Sequence, residues 1–75
     1  MQPRSPFHAR LGEAVKAIRE EKKMTQVQVA ELMDAPATFV SDIERGIRNP
    51  ALSTLISLAN ALKVKLSEIV KRAEK

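Results

Sequence analysis

Residues 25–46, TQVQVAELMDAPATFVSDIERG, read as two short helices joined by a break at Asp34-Ala35-Pro36. Thr25 and Gln28 have the spacing of a capping box, in which the Thr hydroxyl accepts from the Gln28 amide and the Gln28 side chain returns to the Thr25 backbone. Met24 and Val29 flank it as a hydrophobic staple. Val29, Ala30 and Met33 then face inward, and Asp34 is a residue type that tolerates the left-handed conformation that stops a helix. The second helix restarts at Pro36, favourable in a first turn, buries Val40 and Ile43, and ends at Gly46. It carries a small polar face and no Lys or Arg before Arg45.

Upstream, Phe7, Leu11, Ala14, Val15 and Ile18 follow the i, i+4, i+7, i+8, i+11 spacing of one helix face, with Glu13, Lys16, Glu20 and Glu21 opposite. Residues 1–6, with two prolines and no periodicity, are expected to form a disordered arm, leaving residues 7–75 as a single domain. Downstream, Asn49-Pro50 breaks the chain again. Leu52, Leu55, Ile56, Ala59 and Leu62 then make the most apolar stripe, so the fourth helix is expected to be central to the core. A fifth stripe, Leu66, Ile69 and Val70, ends in KRAEK, where basic residues suit a helix C-terminus. The expectation is an all-α fold of five helices without a strand.

The composition narrows function. A chain of 75 residues with 44% hydrophobic content fills one small core. With no cysteine, it has neither disulfides nor thiolate-metal sites, and stability must come from packing. No apolar run approaches the roughly 20 residues of a membrane span, and no secretion signal is recognisable, so a cytoplasmic protein is expected. The net charge of +4 points to an anionic partner. Phe7 and Phe39 are the only aromatics, too few for a single-strand stacking groove, which makes duplex the better candidate. His8 is the only histidine, Glu13, Glu20, Glu21 and Glu31 lie on solvated faces, and no phosphate loop or metal-ligand cluster exists. Neither an enzyme nor a cofactor or metal site is expected. A membrane-surface role for the C-terminal stretch is opposed by Glu68 and Glu74 and by its short apolar side.

A tight break between two helices of about eight residues, with Ala30 small enough for close approach and Val40 and Ile43 beneath, is the pattern of a DNA-binding helix-turn-helix. Over about residues 10–70 the chain resembles the phage-repressor and Cro-like (XRE-type) helix-turn-helix family, through its TQ opening, IERG, NP and L..LI.LA.AL. That resemblance implies a compact five-helix, lambda-repressor-like domain with the motif at helices 2 and 3. Within the family, ATFVSDIERGIRNP is most similar to the restriction-modification controllers and, less so, to antitoxin repressors. Lys23, Asp34 and Lys63 stand where the family usually has glycine, and Pro36, Ala51 and Lys65 where helix caps are often Ser or Thr. Each departure costs about 1 kcal/mol and leaves the fold unchanged.

With helix 3 in a major groove, Pro36, Ala37, Thr38, Ser41 and Asp42 point at base edges. Ala37 and the Thr38 methyl suit thymine methyls, Ser41 donates or accepts, and Asp42 accepts from a cytosine amino group. An ordinary solvated helix face is the alternative for each. Asp42 has a second reading as the residue that holds Arg45 or Arg48. Phe39 also has two, as cover over the turn or as an apolar probe at the edge of the site.

The resemblance further implies phosphate contacts from Thr25, Gln26, Arg45, Arg48 and Asn49, supported by the amides and dipole at the start of helix 2. It also implies a partly buried ion pair between Arg19 and Glu44; the alternative is two unrelated surface charges.

A single helix reading about four base pairs is too unspecific alone, so a homodimeric repressor or controller on duplex DNA is expected. Val64, Leu66, Ile69 and Val70 are the dimer-interface candidates, unless Leu66 and Ile69 complete the monomer core. The competing function is an antitoxin or adaptor module whose main ligand is a toxin or other protein. Val27 and Leu32, off the buried stripe of helix 2, give it slight support.

Overall fold

A computed structural model describes residues 6–74. Among these residues there are five helices and no strand: α1 (Pro6–Glu21), α2 (Gln26–Leu32), α3 (Ala37–Glu44), α4 (Leu52–Leu62) and α5 (Leu66–Ala73). The expected arm is shorter at its inner end, because Pro6 is the first residue of α1, a position where the missing N–H costs nothing. The rest of the arm, residues 1–5, lies outside the described residues.

Helix α1 packs against α3 and α5, α2 against α3 and α4, and α4 against α5. Val15, Ile18, Val29, Val40, Ile43, Leu58, Leu62 and Ile69 are the largest fully buried side chains, so every helix contributes to one core. Several expected core positions move. Phe7 is exposed rather than the start of the buried stripe, which begins at Leu11. In α4, Leu52 and Ile56 are 64% and 45% exposed, and the buried residues are Leu58, Ala59, Ala61 and Leu62. The α4 sequence LSTLISLANAL has no charged residue to mark its outer face, so periodicity left the inward side undetermined. Contacts with α2 and α5 decide it.

The ends of α1, α2, α3 and α4 share one geometry. At each, the residue after the last turn is left-handed: Lys23 (φ 59), Asp34 (φ 57), Gly46 (φ 76) and Lys63 (φ 61). Its N–H and that of the next residue return to the helix, as in Asp34 N to Glu31 O (3.1 Å) and Ala35 N to Ala30 O (2.9 Å), which is the Schellman motif. The same pair of bonds closes α1 through Lys23 and Met24, α3 through Gly46 and Ile47, and α4 through Lys63 and Val64.

Only one of the four positions is a glycine. A side chain in that conformation costs roughly 1–2 kcal/mol. Lys23→Gly and Lys63→Gly should therefore each raise stability by about 1 kcal/mol, and because the sites are independent the gains should add. Urea unfolding of both single variants and the double checks this; a lower midpoint for either would show that the lysine is not held left-handed.

Candidate nucleic-acid interface

The turn between α2 and α3 is Met33 to Pro36, and Pro36 takes the cap position of α3 with extended backbone and no side-chain cap bond. At the other end of the motif the capping box of α2 is present, with Gln28 N donating to Thr25 Oγ1 (3.0 Å) and Thr25 N donating to Gln28 Oε1 (2.8 Å). The Thr25 hydroxyl accepts in this arrangement and keeps its own hydrogen for an outside acceptor.

Beneath the motif lies an ion pair. Arg19 Nε donates to Glu44 Oε2 (2.6 Å), its Nη2 to Oε1 (3.1 Å), and its Nη1 to the Met24 carbonyl (2.8 Å). The side chains of Arg19 and Glu44 are only 11% and 3% exposed. The hydrogen bonds to Glu44 outweigh the opposing effect of burial and hold the Arg19 guanidinium above its ordinary pKa. Gln26 Nε2 also donates to Glu44 Oε1 (3.0 Å), so one carboxylate ties the end of α1 and the start of α2 to the end of α3. One Gln26 amide hydrogen is thereby committed inward, and the other is not used by this bond.

On α3, Thr38 is exposed and Ser41 half-buried, while Pro36 is exposed at the tip. Ala37 is half-buried and packs against the core, so less of its methyl faces outward than the sequence pattern implied. Asp42 is engaged by two cations: Arg45 Nη2 lies 2.7 Å from Oδ1, and Arg48 Nη2 lies 3.6 Å from Oδ2. The Arg48 guanidinium also sits over the Phe39 ring, 4.6 Å from its centroid.

Asn49 Oδ1 is 3.1 Å from His8 Nε2, the ring N–H donating, which leaves the Asn49 amide hydrogens unclaimed by this bond. In the sequence His8 stands two residues beyond the expected arm. A histidine anchoring a loop 41 residues away has no local signal that could have revealed it. Thr25, Gln26, Arg45, Arg48 and Asn49 thus lie at the N-terminus of α2 and in the segment after α3, the two ends of the motif that the Glu44 carboxylate joins.

The dimer candidates separate. Ile69 is fully buried in the monomer core and cannot touch a second copy, because α5 closes against α1 through its face. Val64 and Leu66 are half-buried and pack against the core, and Val70 is half-buried. Far from the motif, Arg72 binds Glu21 through both terminal nitrogens (2.7 and 2.8 Å) and Glu68 through Nε (2.8 Å). Those bonds hold the Glu21 carboxyl below its usual range and Arg72 above its own.

Residues 15–69 match the helix-turn-helix family model HTH_3. The chain belongs to this family of XRE-type DNA-binding regulators. It is 48% identical over 60 residues to the immunity repressor protein of Bacillus phage phi105, matching 80% of this chain and 42% of the repressor. The chain therefore spans less than half the length of that relative. It is 37% identical to the control protein C.SmaI of Serratia marcescens, over 83% of this chain and 74% of that protein. Among solved structures, the restriction-modification controller protein C.Esp1396I, a tetramer in complex with its natural 35 base-pair operator, superposes with a TM-score of 0.80. That match has 29% identity and covers 92% of this chain and 96% of the controller.

Proposed function

We propose that this chain is a sequence-specific, duplex-DNA-binding transcriptional regulator of the repressor or controller type, acting as a homodimer in the cytoplasm. The observation that carries the reading is the juxtaposition of a short-chained, exposed α3 surface with the cationic segment that follows it. Pro36, Ala37, Thr38 and Ser41 read bases. Thr25, Gln26, Arg45, Arg48 and Asn49 grip phosphates, which position the protein without carrying sequence information. Asp42, with both oxygens facing arginines, holds those arginines instead of accepting from a cytosine. The function in this reading is one of binding and release.

Dimerisation places two recognition helices in successive major grooves. Val64, Leu66 and Val70 are its candidates, with Ile69 removed from the set. The operator-bound controller supports assembly on DNA, since it is itself a tetramer on its site. No described helix is long and apolar enough to cross a membrane, which suits this role. A second reading, a module whose main ligand is a toxin or other protein, is favoured by Val27 and Leu32, 53% and 60% exposed on α2.

The test separates grip from readout. Duplexes selected by the protein from a random pool, and scrambled versions of them, are titrated at several salt concentrations. Arg48→Ala should weaken binding about equally on both and reduce the salt slope by about one per lost phosphate contact and subunit. Thr38→Ala and Ser41→Ala should leave the slope nearly unchanged and relax preference at particular base pairs by about 1 kcal/mol each. Should both substitutions leave selected and scrambled duplexes bound as before, α3 is not the reading element and the protein-partner reading takes over.

A further inference from the structure

We infer that Phe39 is a positioning residue for DNA binding, a platform that holds the Arg48 guanidinium in its working orientation before DNA arrives. The inference rests on the DNA-binding reading above and assigns a role to a side chain that reading leaves unused.

Phe39 is half-buried and packed against the core. It borders a surface pocket between the interhelical turn, at Met33 and Ala35, and α4, at Ser53, Thr54 and Ser57. Arg48 lies over it at 4.6 Å, within the range of a cation–π contact. Arg48 is otherwise weakly held. Its side chain is 46% exposed, and its contact with Asp42 is 3.6 Å, against 2.7 Å for Arg45 on the same carboxylate. Asp42 therefore mainly fixes Arg45, and the face of the Phe39 ring is a second support for Arg48 beside that longer ionic contact.

Stacking occupies the face of a guanidinium and leaves its edge free, and all five N–H donors lie on that edge. A free arginine loses much rotamer freedom when it binds a phosphate or a base edge, whereas one already held over a ring loses less. The neutral α3 surface thus acquires an oriented cation from outside the helix. A merely structural Phe39 would affect DNA binding whether or not Arg48 is present. A platform acts only through Arg48.

A double-mutant cycle distinguishes the two. Wild type, Phe39→Leu, Arg48→Ala and the double variant are titrated with a duplex selected by the wild-type protein, at a temperature where circular dichroism shows all four folded. Phe39→Leu should weaken binding about two- to fivefold per subunit when Arg48 is present and have no effect when residue 48 is Ala. Phe39→Tyr, which keeps the ring, should bind as wild type does and guards against a folding defect in the leucine variant. An equal factor in both backgrounds overturns the platform role and leaves the DNA-binding reading standing. If Arg48→Ala itself changes neither affinity nor salt slope, both the platform and the assignment of Arg48 to the interface fall.

Discussion

Arg19→Ala and Glu44→Ala should each lower the unfolding free energy by about 3 kcal/mol or more, because either truncation strands the partner charge beneath α3. For 75 residues the whole stability is expected to be roughly 4–11 kcal/mol, so either change removes a large part of it. Glu44 should be the more damaging site. It is the less exposed of the two, and its carboxylate accepts from both Arg19 and Gln26. Its loss would leave a guanidinium with only the Met24 carbonyl and would free the start of α2 from the end of α3.

The double variant should be less destabilised than the two single losses added together, by at least 1 kcal/mol, since no charge is then left unpaired. Denaturant unfolding of the three variants measures this. Single losses of a few tenths that simply add would mean the pair contributes nothing as a pair.

Gly12→Ala should destabilise by about 2 kcal/mol or more, against the gain of about 1 kcal/mol that helix propensity alone assigns to Gly→Ala in a helix interior. Gly12 lies inside α1 and is buried against the end of α3. A Cβ there would stand 2.5 Å from the Ile43 carbonyl oxygen and nearer still to that of Glu44. Both obstacles are backbone, so no side chain can swing aside, and α1 and α3 must separate where Arg19 bridges them. The sign of the change is therefore decisive. Thermal unfolding of Gly12→Ala that shows an unchanged or raised midpoint would mean the two helices are not in backbone contact.

Gly12 illustrates what sequence alone could not reveal. A lone glycine in an amphipathic stretch reads as a weak spot in a helix, and only the crossing of α1 over α3 gives it a reason. The same holds for Leu52 and Ile56, whose spacing fits a buried stripe but whose side chains are exposed. Ile69, offered as an interface residue, has no exposed surface because α5 folds back on α1. Asp42 reads either as a base acceptor or as the holder of Arg45 or Arg48, Phe39 either as a cover or as an apolar probe, and no reading joins Phe39 to Arg48. Their mutual arrangement depends on how the segment after α3 turns back across it.

Other features were fully local. The capping box at Thr25 and Gln28, the left-handed stop at Asp34, and the number and order of helices follow from residue types a few positions apart. Such features rest on backbone preference and on hydrogen bonds within one or two turns, which a sequence states directly. The helix-turn-helix itself belongs to this class, because Met33 to Pro36 closes one helix and opens the next through neighbouring groups alone. Which face of α4 turns inward and which glycine admits a neighbouring backbone depend on helices brought together from separate parts of the chain, and which arginine rests on which ring depends on how the segment after α3 folds back. Those contacts exist only after the core has formed, so they were decided by the tertiary structure.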